Sequence, residues 1–198
     1  MREFILRARK GPTSPDFSLD DLPAAGHFEV VAHCVSNALF FANHIRDDTT
    51  IHTVLDGPSD PPKTVSFDSR NLGSLKGFDE RNIAETIRST LEEGVGLDTN
   101  ASKSSLLGVT VAKRGFERLL QERQPEQLYY LERKGTDIRD TDLHEEPTFV
   151  FTDFLSMPRK TDKYLRRLGA TPISLGPRLL FASHCIVLVH NELDRRSA

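Results

Sequence analysis

The chain has 198 residues, 37% of them hydrophobic and 28% charged, with a formal net charge of −3. That is enough apolar material for a sizeable core in one globular domain, and the composition fits no disordered or fibrous class. A slightly acidic chain lacks a global basic field, so any nucleic-acid contact has to rest on a local patch, and no apolar run is long enough to span a bilayer.

In chain order, "MREFILRARK" alternates well enough for a strand, and the charges inside it leave no apolar signal-peptide core. The expectation is a cytoplasmic protein, neither secreted nor membrane-embedded. Pro and Gly in "GPTSPDFSLDDLP" break the strand. Val31, Cys34, Val35, Ala38, Phe41, Ala42 and Ile45 then recur at steps of three and four, which predicts a helix with a wide buried stripe running as far as Ile45. "TTIHTVLDG" and "KTVSFDS" read as strands around "PSDPP". The segment "DERNIAETIRSTLEEG" opens with acids and closes before Gly94, as helix ends prefer. "LDTNASKSS" reads as a mobile loop. Strand and helix patterns resume through "GVTVAKR", "FERLLQER", "QLYYLER", "TFVFTDFL", "DKYLRRLG" and "PISLG". This alternation predicts an α/β fold with a largely parallel sheet, in one domain over residues 1–198 without internal repeats.

The last segment, "ISLGPRLLFASHCIVLVHNELDRR", mixes apolar residues with His184, Cys185, His190 and Asn191. Pro177 is well placed to start a helix, in which Ala182, Cys185, Ile186, Val189 and Leu193 share one face. Val187 and Leu188 lie off that face and would suit a partner subunit. "CIVLV" is also rich in β-formers, and periodicity leaves a strand open there. His184 and Cys185 are neighbours, so on a helix they diverge and cannot act as nucleophile and base on each other. Cys34 and Cys185 read as reduced thiols, and a buried cysteine beside a core or capping histidine accounts for His33 and Cys34. The seven histidines and two cysteines show no metal-ligand spacing, so no metal is expected. No GxGxxG, phosphate-binding loop or GxSxG is present. What remains is geometric. "YYLERKG", "FVFTDFL" and "PISLG" all end strands, and α/β proteins bind ligands at the carboxyl ends of parallel strands.

"MREFILRAR", "DERNIA", "ISLGPRLLFASHC" and "VHNELDR" together resemble the TrmY family of SPOUT methyltransferases, nearly end to end. "TDFLSMPRK" and "LLFASHC" are closer to its bacterial branch. The archaeal members methylate N1 of a T-loop pseudouridine in tRNA. The resemblance implies an α/β SPOUT fold with a C-terminal trefoil knot, S-adenosylmethionine as cofactor, a homodimer built around the knot helices, and an RNA substrate, tRNA first. It implies a cofactor pocket lined by Leu131, by Thr152, Phe154, Leu155 and Ser156, by Ile173, Ser174, Leu175 and Gly176, and by Leu180 and Cys185. Family members commonly carry His or Gly where this chain has Phe154 and Ser156. Methyl transfer to a ring nitrogen asks mainly for positioning and a proton acceptor, and Asp153 is the candidate. Arg2, Arg7, Arg9 and Arg46 are candidate RNA contacts. A SPOUT enzyme acting on another RNA, such as ribosomal RNA, and a non-catalytic RNA-binding SPOUT protein are the alternatives at this stage.

Overall fold

The computed structural model describes residues 1–42 and 44–197. Asn43, inside the expected first helix, and Ala198, the end of the expected domain, lie outside the described residues. The elements are β1 (Arg2–Ala8), α1 (Phe28–Leu39), β2 (Phe40–Phe41), β3 (His44–Ile45), β4 (Thr49–Leu55), β5 (Lys63–Asp68), α2 (Glu80–Glu93), β6 (Ser102–Leu106) and β7 (Val109–Ala112), followed by α3 (Phe116–Leu120), β8 (Leu128–Asp137), β9 (Thr148–Thr152), α4 (Arg159–Leu168), β10 (Thr171–Ser174) and α5 (Ala182–Ser197).

Eight strands form one sheet in the order β10-β8-β9-β1-β4-β5-β7-β6. It is parallel from β10 through β4 and antiparallel from β4 through β6. The α/β class holds: α1 lies between the parallel strands β1 and β4 and α4 between β9 and β10, while in the antiparallel half β4–β5 and β6–β7 are joined by short loops and β5 leads to β6 through α2. Alternation along the central strands sends Phe4, Leu6, Phe149 and Phe151 to one face, beneath α1, α2 and α5. Ile5, Val54 and Val150 face the other way, beneath α3 and α4. Burial on both faces explains the continuous apolar runs Phe4–Leu6 in β1 and Phe149–Phe151 in β9.

Three expectations need correction. The first helix ends at Leu39, although the apolar spacing continues to Ile45. Beyond it, Phe40 and Phe41 pair with Ile45 and His44 as a short hairpin, and the Arg46 amide donates to the Leu39 carbonyl at 2.8 Å, capping the helix from outside. The expected loop "LDTNASKSS" contains the start of β6, a polar edge strand on β7 whose exposed Lys103 suits an edge. Pro177 does not start the last helix, because α5 begins at Ala182 and its first backbone bond runs from Cys185 to Phe181. The residues between are an open loop in which Leu179 is 100% exposed. "CIVLV" is helical, inside α5.

Strand β8 is irregular in a way that matters for the site. Tyr129 and Tyr130 pair with Thr171 and Pro172, but the next ladder pair is Thr136 with Ile173, so residues 131–135 arch away from β10. The strand returns at Gly135, where a Cβ would lie 2.6–2.7 Å from backbone atoms of Ile173 and Pro172. Only glycine lets the two backbones approach that closely.

Candidate functional site

The arch in the middle of β8 and the segments that follow the carboxyl ends of β9 and β10 enclose a cleft, so "YYLERKG" continues as strand to Asp137 instead of ending one after "YYL". One lobe, of about 370 Å³, sits between the β8 arch and the loop from Ile173 to Leu180. The other, of about 730 Å³, is bounded by residues 150–157 and the first turn of α5. Leu131, Glu132, Arg133, Leu179, Leu180 and Cys185 border both lobes, which therefore adjoin as one depression. These volumes are in the range of small-molecule sites.

The structure brings together the residues singled out for a cofactor pocket. Ile173, Ser174, Leu175 and Gly176 line the smaller lobe, and Thr152, Phe154, Leu155 and Ser156 line the larger. Leu131, Leu180 and Cys185 border both. Ser174 Oγ accepts from the Gly176 amide and donates to the Gly176 carbonyl, both at 3.3 Å, closing a tight turn. Gly176 has φ of 118° with nothing near its missing Cβ, so glycine is required there for conformation alone. Phe154 packs its ring 4.2 Å from that of His27, with Lys10 Nζ 5.8 Å above it. His184, noted in the last segment beside Cys185, also lines the cleft, and so do Glu132, Arg133 and Phe181, which were not singled out from the sequence. The signal for Glu132 and Arg133 was their place directly after "YYL", at an expected strand end.

Asp153 is 8% exposed at the end of β9. Its Oδ1 accepts from the Leu155 amide at 2.9 Å and its Oδ2 from the Arg9 amide at 3.1 Å, while its own amide donates to the Arg7 carbonyl. Burial pushes its carboxyl above the ordinary aspartate value, opposed by the two amides and by the charges of Arg9 and His27. The result is a fixed carboxylate, more basic than a solvated one, beside the larger lobe.

Neither cysteine suits nucleophilic chemistry. Cys185 is 5% exposed and burial pushes its thiol up to about 11. Burial also raises Cys34, with Cys185 and Asp153 adding to the effect. Both are unbridged thiols and remain protonated at neutral pH. His33 is not in the core but on the exposed side of α1, 3.1 Å from Glu80.

The four candidate arginines divide. Arg2 and Arg46 do not face a groove; they converge on Asp194 at 2.7 and 2.8 Å, and Arg2 also pairs with Asp48 at 2.8 Å. Burial would raise the Asp194 carboxyl, but Arg46 and Arg2 bring it down to about 2. Arg2 Nη1 donates to His190 Nδ1 at 3.1 Å, leaving His190 Nε2 to donate to the Ala38 carbonyl. Arg7 lies on the ring of Phe116 and ties Asp56, Thr161 and Glu117 together. Three of the four are thus occupied inside the fold, because each has a carboxylate partner that is remote in sequence. Arg9 alone adjoins the cleft: its Nη2 reaches the Ser156 carbonyl at 3.4 Å and its buried Nε has no hydrogen-bond partner among the described residues. Among the described residues no cluster of three His, Cys, Asp or Glu could hold a metal, and no helix is long and apolar enough to cross a membrane.

Comparison with known proteins gives a consistent picture. Residues 1–198 match the family described as "Putative SAM-dependent RNA methyltransferase". The chain is 41% identical over 195 residues to a "Putative pseudouridine methyltransferase" of Photobacterium profundum, covering 98% of each chain. It is 40% identical over 197 residues to the protein of the same description from Vibrio parahaemolyticus, covering 99% of each. The crystal structure of Archaeoglobus fulgidus Nep1 bound to S-adenosylhomocysteine matches with a TM-score of 0.64 over 99% of each chain. At 12% identity that last likeness is one of fold.

Proposed function

The chain belongs to the family of SAM-dependent RNA methyltransferases, and from that premise we propose that it methylates N1 of pseudouridine in tRNA. The observation that carries the reading is the cleft: all the positions expected to touch S-adenosylmethionine, from Leu131 to Cys185, line one depression between the β8 arch and the ends of β9 and β10. Its chemistry suits that cofactor. Leu131, Ile173, Leu175 and Leu180 offer an apolar slot for adenine, the irregular backbone from Leu175 to Phe181 offers amides and carbonyls for its ring edge, and Arg133 and Arg178 offer cations for a carboxylate.

When bound, S-adenosylmethionine supplies a methyl group made electrophilic by its sulfonium. Pseudouridine is joined to its ribose through carbon, so its N1 carries a proton that must leave as the new N–C bond forms. Asp153 is the proton acceptor in this reading, made more basic by burial and held in one orientation by the Arg9 and Leu155 amides. Most of the remaining catalysis is positioning, supplied by a cleft whose loops are anchored on the ends of β9 and β10. Cys185 contributes a wall and no covalent bond.

The same reading includes one domain over residues 1–198, a trefoil knot in the C-terminal part, and a homodimer formed around α5. The dimer is supported by apolar groups on the outer side of that helix, where Val187 is 47% and Leu188 40% exposed. Incubating the protein with methyl-labelled cofactor and separate tRNA and ribosomal RNA pools, then digesting the RNA to nucleosides, tests the proposal. Label in N1-methylpseudouridine from tRNA is the expected result. Label confined to ribosomal RNA removes the substrate, and label on a carbon or a ribose oxygen removes the mechanism.

A further inference from the structure

We propose that the outward face of α4, with Arg133 and Arg178 at the cleft mouth, is the surface on which the RNA phosphodiester backbone lies while the target base enters the cleft. This rests on the RNA methyltransferase reading above. It starts from an imbalance of charge. The chain as a whole is acidic, yet residues 156–180 contain six Lys or Arg and a single acid, Asp162.

Helix α4 buries Thr161 and Leu165 and exposes Arg159, Lys160, Lys163, Arg166 and Arg167. Lys160, Lys163 and Arg167 stand three and four residues apart, so they form one stripe about 10 Å long on the solvent side. Arg166 is held by Asp162 at 3.2 Å and Glu132 at 3.7 Å. Arg159, Lys160, Lys163 and Arg167 have no carboxylate within ion-pair distance among the described residues. Like charges spaced this way repel along a helix, and a polyanion laid across them relieves the repulsion.

The helix also has the right place. It begins two residues after Met157, which lines the larger lobe, and the Arg166–Glu132 contact ties its far half to the β8 arch that borders both lobes. Thus α4 runs along one rim of the cleft, with Arg133 and Arg178 exposed beside it. The outer side of α5, on the opposite face of the sheet, is apolar at Val187 and Leu188 and offers phosphate nothing. Arg2, Arg7 and Arg46 are committed to internal carboxylates. Four cations without a carboxylate partner among the described residues, Arg159, Lys160, Lys163 and Arg167, thus stand together on the α4 rim, where phosphate can meet them.

The test is salt-dependent binding of unfractionated tRNA, and of ribosomal RNA, to the full chain and to a triple variant, Lys160→Gln, Lys163→Gln and Arg167→Gln. A control triple of equal charge change, Lys76→Gln, Arg88→Gln and Lys103→Gln, lies on α2, the loop before it and β6, at the other end of the sheet. The α4 triple should bind RNA at least about tenfold more weakly near 0.1 M salt, and its log–log salt slope should be shallower by about 2, since each lost phosphate contact removes roughly 0.7–0.9. Calorimetry with S-adenosylhomocysteine should find cofactor affinity unchanged in both variants, which also reports that each is folded. Equal RNA affinity and slope in the parent and the α4 triple overturn the proposal while leaving the enzyme reading intact. A parent protein that binds and methylates neither RNA pool overturns both.

Discussion

Replacing Asp153 with Asn separates the structural role of its carboxylate from the proposed role as proton acceptor. Both oxygens accept backbone amides, from Leu155 at 2.9 Å and Arg9 at 3.1 Å, and so join the ends of β9 and β1. Asparagine keeps one acceptor and turns an NH₂ group toward the other amide. Losing a charge-assisted bond and leaving a buried donor unmatched costs about 2 kcal/mol, or a melting temperature about 4–8 °C lower for a domain of this size. If the same carboxylate accepts the N1 proton, the single-turnover rate at saturating cofactor and RNA falls a further 10²- to 10⁴-fold. The pH profile distinguishes the roles. Because burial raises the Asp153 pKa above the ordinary aspartate value, the parent's rate should rise with pH through that raised pKa as the base ionises, and the variant's rate should be flat there. Single-turnover measurements below the melting temperature decide the matter. A variant that melts lower but keeps its rate within about threefold, with an unchanged pH profile, makes Asp153 a tie between strands and sends the search for a base elsewhere.

Other predictions test other parts of the structure. Gly135→Ala would put a methyl 2.6–2.7 Å from the backbone of Ile173 and Pro172, forcing β8 and β10 apart; a destabilisation of about 1–3 kcal/mol and weaker S-adenosylhomocysteine binding should be seen by melting and calorimetry, and unchanged values for both would show that the two strands can yield. Leu188→Asp should convert a dimer to monomer or aggregate, since an unpaired charge buried at an interface is costly; light scattering that finds the parent monomeric at micromolar concentration rules the α5 dimer out. His190 is held at about 3 by burial and by the charges of Arg46 and Arg2. The unfolded chain binds that proton below about pH 6.5 and the folded chain does not, so lowering the pH from 6.5 to 5 should cost up to about 2 kcal/mol. Urea midpoints should show this loss in the parent and a smaller one in His190→Gln, and equal losses in the two would assign it to other groups.

How much of this was legible in the sequence differs by element. The central strands were readable because burial on both faces concentrates apolar residues, and α2 because Asp79 caps it and Gly94 closes it. The edge strand β6 was not, since "SKSS" has no apolar alternation and its pairing partner supplies the order. The first helix was read too long because Phe41 and Ile45 keep the helical phase while sitting on an exposed hairpin. The cleft-lining positions came through family resemblance; the pattern alone pointed no further than to the carboxyl ends of the parallel strands. The arginines went wrong for a simple reason: Arg2 finds its carboxylate 192 residues away. No local window contains that partner, and a charge that looks solvated in sequence is a buried tie in space. The basic face of α4, by contrast, was in plain view as "RKTDKYLRR", but nothing in the string says it borders the cleft.

The position of β1 in the sheet has a consequence for how the protein is made. It is paired on one side by β4 and on the other by β9, and Glu3 meets Thr148 across 145 residues. During synthesis at about 5–20 residues per second, roughly 7–30 s separate the emergence of these two positions from the ribosome. Throughout that interval the apolar strand "FILRA" has one edge without its native neighbour. The antiparallel half, whose strands β4 to β7 are all complete by Ala112, can form early, whereas the half that carries the cleft must wait for β9. Conditions that slow translation through the middle of the chain should therefore lower the yield of folded protein without altering the stability of what does fold.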